Sequence, residues 1–160
     1  MGIRAAACRP WVRALTSPSG RRIGNVGGVG FALINLGVVR YALGEHEASR
    51  RDFEEAHSCF AEVGFRAQVA HALQGLATFE ARERRYVEAA HLLGRARREL
   101  DDIGAAEDDF AVEMVAWTTE RARAGLGDEA FEEAYAAGVA VLDDGTSGWK
   151  SPPSLTGGAP

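Results

Sequence analysis

Four glycines, Gly24, Gly27, Gly28 and Gly30, fall within seven residues just ahead of an apolar run, a composition that suits a turn whose backbone N–H groups converge on phosphate. The partners such a cradle needs are missing. Lys150 is the only lysine, so no Gly-Lys-Ser/Thr ending of a P-loop can be written. The dinucleotide fingerprint fails as well, because Leu33 stands where its third glycine should fall. His46, His57, His71 and His91 form no HxxxH pair and no Cys/His cluster, so no metal is expected. Asp101-Asp102 and Glu107-Asp108-Asp109 lack the alternation of a calcium loop, and acids near a helix start are explained by its dipole. No serine sits in an elbow motif, and no carboxylate pair comes with a pocket to tune it. The sequence therefore predicts a non-catalytic protein without a cofactor.

The strongest electrostatic feature is Arg82, Arg84, Arg85, Arg95, Arg97 and Arg98. Such a cluster could bind phosphate or nucleic acid. Glu80, Glu83, Glu88 and Glu99 interleave with it, and the formal net charge is -5, so a solvated, partly paired face is the favoured reading and nucleic acid the alternative. Steep salt dependence and loss on Arg84→Ala with Arg95→Ala would mark that alternative.

At 160 residues and 46% hydrophobic, the chain has enough apolar material for one domain with a core. Cys8 and Cys59 read as reduced thiols of a cytosolic protein. Ala5-Ala6-Ala7-Cys8 has no apolar segment before it, and Ala6 occupies the Ser/Thr position of a myristoylation signal. The apolar run Val26 to Val39 is too short to span a bilayer. A cytoplasmic, membrane-free location is expected.

The elements that must position any site emerge when the chain is shifted by forty residues. Ile23-Gly24 falls on Val63-Gly64 and then on Ile103-Gly104; Ala32, Leu33 and Leu36 fall on Ala72, Leu73 and Leu76; Phe53 falls on Leu93 and Phe60 on Leu100. Gly24 is thus an inter-repeat turn. Each unit reads as two helices. The first, Val26 to Leu43, is apolar on most sides, as if sandwiched between neighbours, and the second, His46 to Glu62, is one-sided through Phe53, Ala56, Cys59, Phe60 and Val63. The next unit places helices at Ala67 to Glu83 and Tyr86 to Ile103. A third, degenerate unit opens near Glu107, breaks at Gly125-Leu126-Gly127 and resumes at Asp128 to Leu142, where Ala130, Phe131, Ala134 and Val141 suit a capping helix.

Helix pairs of this kind must stack to bury both faces. The expected fold is all-α, a right-handed solenoid of helix pairs with a period of about 40, spanning residues 23–142. Pro18 and Gly20 would break any preceding helix, so residues 1–22 read as an irregular remnant, and the Gly/Pro/Ser-rich residues 143–160 as a disordered tail.

These positions resemble the tetratricopeptide repeat (TPR): Leu33, Leu36-Gly37, Gly44-Glu45, Ser49, Phe53 and Ala56 in the first unit, then Leu73, Leu76-Ala77, Tyr86, Ala89, Leu93 and Ala96 in the second. Arg40 replaces a usual aromatic, the terminal proline is absent, and the period exceeds the ordinary ~34, which leaves HEAT-like pairs as the rival. The long period, the Gly27 to Gly37 phrase and the ending ARAGLGDEAFEEAYAAGVAV are similar to the helical-repeat region of large bacterial ATPase transcription regulators of the LuxR and MalT-like type. No ATPase motif and no DNA-binding helix-turn-helix accompany them.

The resemblance implies a concave groove lined by the first helices, at Phe31, Ile34, Asn35, Val38 and Tyr41, then His71, Gln74, Thr78 and Arg82. Its implied occupant is a peptide, a partner protein or another domain of a larger regulator. An exposed first helix also predicts self-association.

Overall fold

A computed structural model describes residues 26–107 and 109–141. The described residues form six helices and no strand: α1 Val26–Ala42, α2 His46–Val63, α3 Arg66–Arg82, α4 Tyr86–Asp102, α5 Asp109–Leu126 and α6 Asp128–Ala140. The fold is all-α, and each expected helix is present with its ends shifted by at most a residue or two. Gly24, the segment 1–22 and the tail 143–160 lie outside the described residues.

The first four helices start twenty residues apart and end alike. Gly44, Gly64, Arg84 and Gly104 all take a left-handed backbone conformation. After each, the next N–H reaches back to a carbonyl five residues earlier: Glu45 to Arg40 at 2.9 Å, Phe65 to Phe60 at 2.9 Å, Arg85 to Glu80 at 2.8 Å and Ala105 to Leu100 at 2.9 Å. This is the Schellman closure, which satisfies helix-end carbonyls and turns the chain back at once. Arg84, at φ 62°, is the one non-glycine residue among the four. The starts of α2, α3 and α4 have no side-chain cap, so these helices depend on packing more than on local signals.

The glycines of α1 have a use unrelated to phosphate. A Cβ at Gly27 would stand 2.8 Å from the Phe65 ring, one at Gly30 2.7 Å from Phe60, and one at Gly37 2.9 Å from Phe53. Three bare stretches of backbone thus seat three aromatic rings that run the other way along the chain, which sets the antiparallel register of α1 against α2. Ser49 Oγ donates to the Gly37 carbonyl at 2.6 Å in the same buried seam. Phe60, Leu33, Leu73, Leu76 and Leu92 are fully buried in the shared core, and burial of each such side chain contributes roughly 1.5–3 kcal/mol. α3 lies deepest, with twelve consecutive or nearly consecutive buried residues from Val69 to Ala81.

α1 departs from the expected sandwich. Phe31, Val39 and Leu43 are about half exposed, so one side of this apolar helix is not covered by any described residue.

Ion pairs bridge the seams between helices. Arg40 of α1 reaches across to the buried Asp52 of α2 at 2.5 and 2.7 Å. Burial pushes the Asp52 carboxyl above its ordinary range, and the hydrogen bond and charge of Arg40 oppose that shift. Glu80 of α3, with no exposed surface, receives both Arg50 of α2 and Arg85 from the following turn. Arg66 joins α3 to α4 through Glu99 at 2.7 Å and Asp102 at 2.8 Å.

The last two helices pack differently. α5 leans on α3 and α4, where Thr78 and Thr118 share a buried 3.0 Å hydrogen bond. α6 packs chiefly across α4 and only lightly on α5. A Cβ at Gly94 would collide with the Tyr135 carbonyl oxygen, and one at Gly138 with the His91 carbonyl oxygen. The two helices therefore touch backbone to backbone. The inward residues of α6 are Phe131, Ala134 and Gly138; Ala130, expected on that stripe, is exposed.

Candidate functional site

Where the inner sides of α1, α3 and α5 converge, a cavity of about 340 Å³ opens. Val38 and Tyr41 come from α1, Gly75, Thr78, Phe79 and Arg82 from α3, and Glu113, Met114 and Trp117 from α5, each set spaced by three or four residues on one helical face. Phe53 of α2 enters from below. Its ring needs the space that Gly75 leaves, since a Cβ there would collide with it. The aromatic groups hold one another edge to face, Tyr41 to Phe79 at 5.6 Å and Phe53 to Phe79 at 5.9 Å between centroids.

The mouth is defined by Arg82. Its guanidinium carbon lies 4.7 Å from the centre of the Tyr41 ring and 5.0 Å from that of Trp117. Arg121 approaches Trp117 as well, at 5.9 Å. These are cation–π distances. Apart from Arg82, Thr78 and Glu113 the lining is apolar or aromatic, an arrangement suited to an apolar anchor steered by a few polar groups.

Of the nine residues expected to line a groove, Val38, Tyr41, Thr78 and Arg82 meet here. The other five lie elsewhere. Ile34 is buried at 7% exposure in the same core cluster as Phe53, Phe60 and Leu73, because its side of α1 faces that core. Phe31 is exposed with its ring 5.1 Å from Phe60, and Asn35 is exposed on the outer side of α1. His71 is half-buried. Gln74 lines a second cavity of about 240 Å³ with Leu93, Thr119, Arg123, Phe131 and Tyr135, where α5 and α6 splay apart.

Sequence reasoning missed Phe53, Gly75, Phe79, Glu113, Met114 and Trp117. For Met114 a signal existed, since Ile34 and Gln74 carried forward by forty residues reach it, whereas Trp117 falls on Gly37 and Ala77 and had none. Phe53 belongs to a second helix, and nothing local says that its ring passes between two first helices.

The arginine cluster behaves as a partly paired face. Arg85 meets Glu80 and Glu83, Arg97 meets Asp101, and Arg98 meets Asp102. Hydrogen bonding from Arg97 holds the Asp101 carboxyl below its ordinary range, and Arg66 followed by Arg98 does the same for Asp102. Burial, then the nearby Arg95, lowers the basicity of His91. Among the described residues no three His, Cys, Asp or Glu side chains converge as metal ligands, and no helix is long and apolar enough to cross a membrane. Compared with known protein families, curated proteins and solved structures, the chain finds no match.

Proposed function

We propose that the chain is a non-catalytic protein-interaction or sensor module, a TPR-like solenoid of helix pairs that takes a peptide or partner protein into the groove lined by its first helices. Its setting would be a bacterial signalling or transcription regulator, whose other domains supply any ATPase or DNA-binding activity. The observation that carries this reading is the apolar cavity shared by α1, α3 and α5, with Tyr41, Phe53, Phe79 and Trp117 around it. Large, rigid aromatic surfaces in a preformed recess are the usual material of binding hot spots, because they offer contact area at small entropic cost. The equal spacing of the first four helices supports the repeat reading.

Peptides selected from a displayed library on the full chain test it. Met114→Trp, which fills the recess without adding charge, is expected to weaken the selected peptides by about tenfold or more while the helical circular dichroism stays unchanged. Equal binding by the folded variant would place recognition elsewhere and sink the proposal.

A further inference from the structure

The charges at the cavity mouth specify the occupant further; the argument rests on the cavity being a partner-binding groove. Among the described residues no carboxylate pairs with Arg82 or Arg121, whereas Arg40, Arg50, Arg66, Arg85 and Arg123 each hold at least one. The Arg82 guanidinium instead lies near the centres of two rings, Tyr41 and Trp117, while the residue as a whole stays exposed. A cation–π contact does not require the guanidinium N–H groups, which can still donate in the plane of the group. The two ring contacts favour a guanidinium position beside the cavity, where a hydrogen bond to an ionised acceptor is charge-assisted. Glu113, which also lines the cavity, stands one turn before Trp117 on α5, and Arg121 stands one turn after it. Among the residues that line the cavity Arg82 is the one cation and Glu113 the one anion, and Arg121 adds a second cation beside Trp117.

From this geometry we infer that the groove takes an acidic amphipathic segment of a partner protein: one large apolar side chain enters the cavity beside Met114 and Phe79, and a neighbouring Asp or Glu carboxylate accepts a bidentate pair of hydrogen bonds from the Arg82 edge. The partner's carboxylate is a side chain and not a chain terminus, because the cationic rim continues past Arg82 along Trp117 to Arg121, which suits a segment running through. Glu113 sets direction, since it repels acids from one side of the anchor and accepts a base there. The chain's overall charge of -5 opposes an acidic partner at long range, so the attraction is short-ranged and confined to the mouth.

The test uses the full chain and three fluorescent helical peptides, acetylated and amidated so that no terminal charge remains. Each carries one central Phe flanked one turn away on both sides by Glu, by Gln or by Lys. Fluorescence anisotropy is expected to show the Glu peptide binding about tenfold tighter than the Gln peptide, because a neutral amide oxygen accepts from the guanidinium without the charge and second oxygen of a carboxylate. Arg82→Gln should erase that difference, and Arg82→Glu should transfer the preference to the Lys peptide, a reversal that mere loosening of the site cannot produce. Arg82→Lys should keep the sign of the preference and reduce its size, because the planar fork is gone. Should the Glu and Gln peptides bind alike in the parent chain while Met114→Trp abolishes both, the charge inference fails and the apolar groove survives. Tightest binding by the Lys peptide would overturn the assignment in favour of Glu113. If none of the three binds, the groove reading itself falls, and the acidic partner falls with it.

Discussion

The first four helices and the last two solve the same packing problem in different ways. From α1 to α4 the chain turns back every twenty residues through the same left-handed closure, and successive helices become neighbours because the turn leaves no alternative. Between α5 and α6 only Gly127 intervenes, and α6 passes over its predecessor to lie on α4. The difference teaches that the turn imposes pairing in the first region, and that surface fit imposes it in the second. Small residues on α4 and α6, Ala90 and Gly94 against Ala134 and Gly138, let two backbones meet.

The electrostatics divide along the same line. In the first region the central carboxylate is sealed: Glu80 has no exposed surface and serves two arginines from different segments. In the second, Arg123 holds Asp128 at 2.8 Å and also Glu132, but both acids stand largely in solvent. Exposed pairs are screened and contribute little, whereas a buried charge that loses its partner is costly.

The comparison can be broken at its strongest point first. Glu80→Ala should destabilise the chain by about 3 kcal/mol in denaturant unfolding, since breaking a buried pair leaves Arg50 partly buried and uncompensated. A loss no larger than that of Asp128→Ala would show that burial does not separate the two regions. Next, Gly138→Ala should cost about 2 kcal/mol, in the range of core overpacking, because the new methyl meets a backbone oxygen that cannot move aside. Hydrogen exchange should locate the loss: protection falls in α6 and the adjoining face of α4, while α1 and α2 keep theirs. Uniform loss across all helices would mean that the two regions fold as one unit. The smallest effect should come from Arg84→Gly. It restores the residue found at the other three turns and removes a left-handed conformation that a side chain disfavours, with an expected gain of about 0.5–1 kcal/mol. A lower melting temperature would show that the Arg84 side chain contributes something its geometry does not reveal.

Much of the first region was legible in the sequence. The forty-residue phase, the glycines at 44, 64 and 104 and the apolar spacing of the second helices placed every start from α1 to α4 within a residue, because turns and helical periodicity are local properties. The glycines of α1 were harder to interpret. Their density suggested a phosphate turn, yet each of Gly27, Gly30 and Gly37 answers to an aromatic ring sixteen or more residues away, and no local pattern records such a partner. The candidate site was half legible for the same reason. Val38, Tyr41, Thr78 and Arg82 lie in the expected register, whereas Ile34 turns inward and Gln74 faces another cavity, since one helix face serves several neighbours at once.

By itself the sequence determined where the helices begin and end and how the first four turn back. Only the tertiary structure decided that α6 lies on α4, that Phe53 passes over Gly75 into the cavity, and that Arg82 meets Tyr41 and Trp117 and, among the described residues, no carboxylate. Turn geometry and periodicity depend on residues a few positions apart, and so can be read in order along the chain. Backbone contact between helices, the burial of a charge and the stacking of a guanidinium depend on surfaces brought together from forty or more residues away, where shape decides the outcome.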